Sequence, residues 1–291
     1  MVVGDLVTDV VVMHDRQIEA GTDTLATITA RGGGQGANTA AWLARAGSPV
    51  TLIASVGDDL SGRDRIAELE AQGVRCAVRA HPGATTGTVV VLATADERTL
   101  LTDPGACLLL DPADVRAAFD ASPNVVHLHL SGYPLLHERS RPGGFAALAA
   151  ARERGLTISV DAASAGPLRR VGAAAFLGWV RGVDLLLCNA DEAGVLAGPG
   201  TPAAQAAVLA HYARHVVVKL GPDGAIWQER DGALRLWAGT RVPVKDPTGA
   251  GDAFAAGLLK AWCCGSSPDE ALKAGAALGA AAVGQVGGRP G

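Results

Sequence analysis

Five short apolar runs, at residues 50–55, 125–130, 157–161, 184–189 and 215–220, are separated by longer Ala- and Leu-rich segments of helical character. That alternation constrains the chain most. Runs of this length without polar alternation read as strands buried on both faces. Strand, helix, strand in repeated order implies a mainly parallel sheet covered by helices on both sides, hence three layers. Such sheets hold their ligands on loops at the C-terminal ends of the strands.

The helical segments carry interpretable ends. Residues 37–46 stop before Gly47, a suitable left-handed C-cap, and 65–72 stop before Gly73. Ser61, with Asp64 three residues on, is the expected cap of the latter. Asp111-Pro112 offers an N-cap and a first-turn proline for 113–121, and Ser267-Pro268-Asp269-Glu270 spells a capping box. Two stretches break the alternation. Residues 10–29 and 86–102 are rich in β-branched residues, the second folding around a polar turn at 95–98, and both read as hairpin strands. They form either a small separate sheet over the core, a lid, or an extension of the main sheet. A single unit spanning 1–291 is expected, with lid strands within 10–31 and 75–102.

Composition excludes several classes. Hydrophobic residues are 48% and charged residues 19%, which is globular rather than disordered. A net charge of -4 without a basic run argues against a nucleic-acid partner. Cys76, Cys107, Cys188, Cys263 and Cys264 are scattered, odd in number and without a C-x-x-C pair, so neither a zinc site nor a disulfide framework is expected. The strand-like stretch 2–12, interrupted by Gly4, Asp5 and Asp9, has neither the basic start of a signal peptide nor the length of a membrane span. A cytoplasmic protein with no membrane partner is the expectation.

The segment Asp246-Pro247-Thr248-Gly249-Ala250-Gly251-Asp252 opens a helix over 255–262. Free amides at a helix start can converge on an anion, aided by the dipole. A carboxylate beside that anion repels it unless it takes a proton from a hydroxyl attacking a phosphate. An acid-capped helix after a tight turn is the structural alternative. Earlier in the chain, Gly32-Gly33-Gly34-Gln35-Gly36-Ala37-Asn38 lacks the ending of a Walker A loop and fits G-x-G-x-x-G poorly. Its glycines suit close approach of backbone to a polyol, or simply a tight turn. Val56-Gly57-Asp58-Asp59-Leu60-Ser61-Gly62 follows the next strand.

These two segments together resemble the signatures of the ribokinase-like (phosphofructokinase-B) carbohydrate kinases. The resemblance implies a ribokinase-like, Rossmann-like fold and ATP-dependent phosphorylation of a sugar hydroxyl, with nucleoside kinases of the same family and a non-catalytic sensor as alternatives. It implies that Gly249, Ala250 and Gly251 form an anion hole and that Asp252 is the catalytic base. It places Asp9, Gly33, Gly34 and Asn38 against the acceptor, with Asp9 accepting from vicinal hydroxyls. Asn189 would lie near the phosphates, and Glu192 would order water around Mg²⁺; an N-capped helix start explains the same residues. Lys219, Gly221 and Gly224 would line the nucleotide, Lys219 being otherwise a surface lysine. K⁺ near Asp246 and a homodimer paired through the lid are further implications. Val7 and Gln35 stand where ribokinases carry Asn and Lys, which puts ribose itself in doubt. His127 and His129 alternate on a buried strand as core groups would; Trp227 and Trp237 flank a hairpin turn at 230–232. Residues 276–282 read as a closely packed helix, with adenine contact a weaker addition.

Overall fold

The computed structural model describes residues 1–14, 18–93 and 98–291. Its strands are β1 (Val2–Val3), β2 (Val7–Met13), β3 (Thr27–Gly33), β4 (Thr51–Gly57), β5 (Arg75–His81), β6 (Gly87–Ala93), β7 (Arg98–Asp103), β8 (His127–Ser131), β9 (Thr157–Asp161), β10 (Leu185–Asn189), β11 (His215–Lys219), β12 (Gly224–Glu229) and β13 (Leu234–Ala238). Its helices are α1 (Gln35–Arg45), α2 (Leu60–Ala71), α3 (Pro112–Asp120), α4 (Tyr133–Leu136), α5 (Arg141–Glu153), α6 (Ala165–Val171), α7 (Ala173–Trp179), α8 (Ala190–Ala197), α9 (Pro202–Leu209), α10 (Ala250–Cys263) and α11 (Pro268–Val283).

Among the described residues the main sheet has the order β13-β12-β11-β10-β9-β8-β1-β4-β5. It is parallel from β11 to β5 and antiparallel only at the β11–β12 and β12–β13 pairs. Residues alternate along each strand between two cores. Val3, Leu128, Leu130, Val160, Leu186 and Val216 face the layer of α3 and α5 to α9. Val2, Leu52, Leu185, Leu187, Val217 and Trp227 face the layer of α1, α2, α10 and α11. Each such side chain buried contributes about 1.5–3 kcal/mol, so both faces of the sheet must be covered. This is the three-layer α/β arrangement that the apolar runs imply. Sequence-adjacent strands run outward in both directions from β1, so the β1–β8 edge is the point where the order reverses, and there the C-terminal strand ends open a crevice.

A second, four-stranded sheet has the order β3-β2-β6-β7, so the β-branched stretches form a separate layer. Two boundaries differ from the sequence reading. Residues 75–81, grouped there with the lid strands, pair in parallel with β4 in the main sheet. The stretch 2–12 is not one interrupted strand: β1 belongs to the main sheet and β2 to the small one, with the chain crossing at Gly4-Asp5-Leu6. The turn expected at 95–98 lies outside the described residues except for its last position.

Capping follows the sequence at most ends. Asp111 accepts from Ala113 N, and Ser267 and Glu270 form a reciprocal capping box. Gly47 and Gly73 both take positive φ, 81° and 85°, after their helices. At α2 the cap is Asp59, not Ser61. Asp59 is extended, and its carboxylate accepts from Gly62 N at 2.7 Å and from Thr86 N and Oγ1 at 2.8 and 2.6 Å. That second attachment ties α2 to the approach of β6, a gain Ser61 could not supply. Trp227 is buried on β12 with its ring 5.3 Å from that of His215, and β12 and β13 form the expected hairpin. None of the described helices is long and apolar enough to cross a membrane.

Candidate active site

The strand ends place the polar residues. Gly4 and Asp5 follow β1, Ser131 ends β8, Asp161 ends β9, Asn189 ends β10 and Lys219 ends β11, all along the same C-terminal edge of the sheet. Two loops complete the crevice, one from β3 into α1 and one into α10.

Gly33 ends β3. A Cβ there would lie 2.2 Å from the Asp9 carboxyl, so only glycine lets Asp9 sit over this turn. Gly34 takes φ 101° and passes the chain into α1. The Asp5 carboxylate accepts from Gln35 N at 3.0 Å and Gly36 N at 3.2 Å, satisfying the open amides of α1. Asp9 itself is 9% exposed, and its carboxylate takes no hydrogen bond among the described residues. Burial, then the neighbouring Asp5 charge, push its pKa up to about 6, against the pull of Arg289. A buried carboxylate left without donors is suited to receive the hydroxyls of a ligand.

Gly249 holds the left-handed conformation (φ 74°) that starts α10, and no side chain caps this end. The first-turn amides of Ala250, Gly251 and Asp252 are those a helix cannot satisfy internally. A Cβ on Gly249 would meet Gly288 backbone at 2.4 Å, and one on Gly251 would meet only the Lys219 side chain, at 3.4 Å. Asp246 closes the loop from below: its carboxylate accepts from Thr248 N and from Gly287 N, each at 2.9 Å.

The two loops meet at one hydrogen bond. Asn38 Nδ2, from α1, donates to Asp252 Oδ2 at 2.9 Å, while the buried Asn38 Oδ1 is left without a partner. Burial pushes the Asp252 pKa up to about 8; the Asn38 bond and Lys219 pull against this, and Asp161 and Asp5 add to it. Lys219 Nζ donates to Asp161 Oδ2 at 2.6 Å, and Gln35 Nε2 donates to the other Asp161 oxygen at 3.1 Å. Burial alone would lower the lysine, but Asp161 and Glu192 outweigh it and keep the ammonium charged. Gln35 Oε1 in turn accepts from Ser131 Oγ at 2.6 Å. Asp161, Glu192 and Asp252 thus face the Lys219 ammonium.

Asn189 and Glu192 form the capping box of α8: Glu192 N donates to Asn189 Oδ1, and the Glu192 oxygens accept from Asn189 N and Nδ2 at 2.8 and 2.7 Å. The helix-cap reading of this pair is therefore observed. Burial and then Asp161 push the Glu192 pKa up to about 7. Lys219 is no surface lysine; its side chain is 13% exposed. Gly221 takes φ 59° with open space where a side chain would stand, whereas a Cβ on Gly224 would strike Trp237 O at 1.9 Å. Glycine at 224 is thus demanded by the neighbouring strand. His127 is bonded through both ring nitrogens to Thr157 and Ser159, and His129 through Nδ1 to Ser159, each at 2.8 Å, as core groups.

A family model described as pfkB family carbohydrate kinase matches residues 1–291. The chain belongs to the pfkB family. Among family relatives, the ATP-dependent ribose-1-phosphate kinase of Halopiger xanaduensis is 32% identical over 285 residues, 97% of this chain and 90% of the relative. The adenosine kinase of Sinorhizobium meliloti superposes with a TM-score of 0.90 at 25% identity, covering 99% of this chain and 94% of that one. A putative ribokinase II from E. coli, solved with ATP and Mg²⁺, superposes at 0.86 with 23% identity over 99% and 93%. Membership in the pfkB family carries ATP-dependent phosphoryl transfer onto a hydroxyl of a sugar or nucleoside.

Sequence reasoning missed Asp5, Asp161 and Arg289. Asp161 had a readable signal, a lone acid closing an apolar strand opposite a lone lysine closing another. Arg289, whose contacts lie 221 and 256 residues away, had none.

Proposed function

We propose that this chain transfers the γ-phosphoryl group of ATP to a hydroxymethyl or similar hydroxyl of a sugar or sugar-like molecule, with Asp252 as the base. The observation that carries this reading is the Asn38–Asp252 hydrogen bond, which joins the acceptor loop to the start of α10. Asp9 and the open Oδ1 of Asn38 receive acceptor hydroxyls, with Gly33 and Gly34 allowing the sugar to lie against the backbone. The reacting hydroxyl gives its proton to Asp252. Its oxygen bonds to the γ-phosphorus as the bond from that phosphorus to the β-γ bridging oxygen breaks, and ADP leaves. Developing charge on the phosphoryl oxygens faces the amides of Gly249 and Gly251 and that of Ala250, which here donates to Pro247 O at 3.3 Å and would turn from it to the phosphoryl group. Lys219 supplies positive charge on the same side, and Asn189 and Gly221 lie along the nucleotide's path.

Among the described residues no group of three or more His, Cys, Asp and Glu could hold a metal ion. Mg²⁺ on a nucleotide keeps most of its waters and needs few protein ligands, so Glu192, each of whose oxygens accepts a single hydrogen bond here, fits as a holder through water. When bound, Mg²⁺ neutralises phosphate charge. The two Asp246 oxygens hold the N–H groups of Thr248 and Gly287, and a monovalent cation near this residue, such as K⁺, would add main-chain oxygens of the loop.

The Asp5, Asp9, Asp161, Glu192 and Asp252 carboxylates favour an acceptor whose reacting end is neutral. Ribose, fructose, ribose 1-phosphate and adenosine, each assayed for ADP release, test the reading. The fold shared with the adenosine kinase keeps a nucleoside acceptor as the second reading, and adenosine in that panel separates the two. ADP release with at least one acceptor, abolished in Asp252→Asn, is expected. No release with any, or full release in the variant, would overturn the proposal.

A further inference from the structure

The last residues of the chain thread between the two catalytic loops. Gly287, Gly288, Arg289 and Pro290 are buried. Gly287 N donates to Asp246 Oδ2, and Gly288 lies against Gly249. Gly288 O accepts from Trp42 Nε1 at 3.0 Å, and Pro290 O accepts from Gln72 Nε2 at 2.9 Å. On this strut sits Arg289, whose side chain is 7% exposed. Its Nη2 donates to Gly33 O at 2.8 Å, and its Nη1 lies 3.3 Å from Glu68 Oε2 on α2. A Cβ on Gly32 would fall within 2.1 Å of the same guanidinium. Gly33 is therefore held from two sides, with the Asp9 carboxyl over its Cα and Arg289 on its carbonyl.

We propose that Arg289 is the positioning residue of the acceptor site: its guanidinium clamps the Gly32–Gly33 turn to α2 and so holds Asp9, packed over that turn, in the orientation that grips the acceptor. A planar fork suits this double duty, because one guanidinium reaches a carbonyl and a carboxylate in fixed geometry. A buried cation retained in an acceptor site also has to be neutralised, and Glu68 and Asp9 do so. The charged groups facing Asp9 are Asp5 from the β1–β2 crossing, Arg31 opposite it on β3, Arg65 and Glu68 on α2, Asp246 below and Arg289. Arg31 turns to Val286 O and Arg65 is paired with Glu68. Arg289 is thus the cation the acceptor carboxylate depends on most, and it heads the groups that lower the Asp9 pKa.

This inference rests on the kinase reading, so its test has one arm that needs no turnover. With whichever of ribose, fructose, ribose 1-phosphate and adenosine the unaltered chain phosphorylates, Arg289→Met should raise the acceptor KM about tenfold to a hundredfold. The ATP KM should stay within about threefold. The acceptor KM of the unaltered chain should climb as pH falls through about 6, where Asp9 takes a proton, and in the variant that climb should begin at higher pH. Arg289→Lys, which keeps charge but loses the fork, should restore the pH dependence and only part of the affinity. Independently, amide hydrogen exchange at residues 32–36 should quicken in both variants relative to α5. If Arg289→Met does not fold, Arg289→Lys and Glu68→Gln carry the same comparison. Equal loss of acceptor and ATP affinity, an unmoved pH profile, or unchanged exchange at 32–36 would sink the proposal. Absence of turnover in the unaltered chain would count against the kinase reading alone.

Discussion

Asp252 shows how far a single residue is fixed by its surroundings. Its carboxyl is partly buried, with one neutral donor, Asn38, and one nearby ammonium, Lys219. Burial favours the protonated form, so the folded-state pKa of about 8 lies above an ordinary aspartate. In its proposed role as base it must be ionised to act, so acceptor kcat/KM should rise with pH toward 8 and level beyond it. In Lys219→Met the rising limb should move to higher pH, because the ammonium that favours the carboxylate is gone; a pH–rate profile of both enzymes checks this. The same shift has a sign for stability. A carboxyl with a raised folded pKa contributes fully below its unfolded value near 4 and loses that contribution as pH rises through 8. Asp252→Asn should therefore lose phosphoryl transfer by about 10⁴-fold yet show a higher Tm than the unaltered chain at pH 8 and no gain at pH 4. Thermal scans at both pH values, with nucleotide binding as a control, decide it. Asp9→Ala should weaken the acceptor far more than ATP, measured by calorimetry; equal losses would point elsewhere.

At the level of elements, the caps were legible because they are local. Asp111, Ser267 and Glu270 stand within three residues of the amides they serve, and spacing alone reveals them. Asp59 was missed because its attraction lies partly outside the helix. Its second partner, Thr86, is 27 residues away, and no helix-start pattern contains that. Asp59→Ala should cost about 1–3 kcal/mol, the loss of a cap and of a buried hydrogen bond together, read as a denaturant midpoint shift with unchanged slope. Ser61→Ala should cost almost nothing. The apolar runs gave the buried strands to within about two residues for the same local reason. By contrast, β5 was assigned to the wrong sheet, since its sequence shows β character but not its neighbour. The Arg289 clamp and the Asp161 bridge were illegible or nearly so, because they exist only once distant strand ends have been brought together.

The whole molecule carries two separate sheets, and their exposed surfaces differ. Ile28, Leu100 and Leu101 on the small sheet are 64%, 59% and 56% exposed, apolar side chains on strands whose partners lie only to the side. Pairing of two chains through this sheet, which the family resemblance implies, predicts a dimer mass in sedimentation and a monomer for Leu100→Lys with Leu101→Lys. A monomer for the unaltered chain ends that expectation.

The crossing at Gly4-Asp5-Leu6 links these scales. Only three residues separate the core from the strand that bears Asp9, and Asp5 among them is bolted to the first amides of α1. In the proposed reaction Asp9, which would grip the sugar, consequently rides on the outer layer, while Asp252, the proposed base, starts a helix of the core layer. Any swing of that layer carries the grip with it, so capture of the alcohol and shielding of the reaction from water become a single mechanical event. A chain built this way should leave ATP largely untouched when no alcohol is there, which ADP release without an acceptor measures.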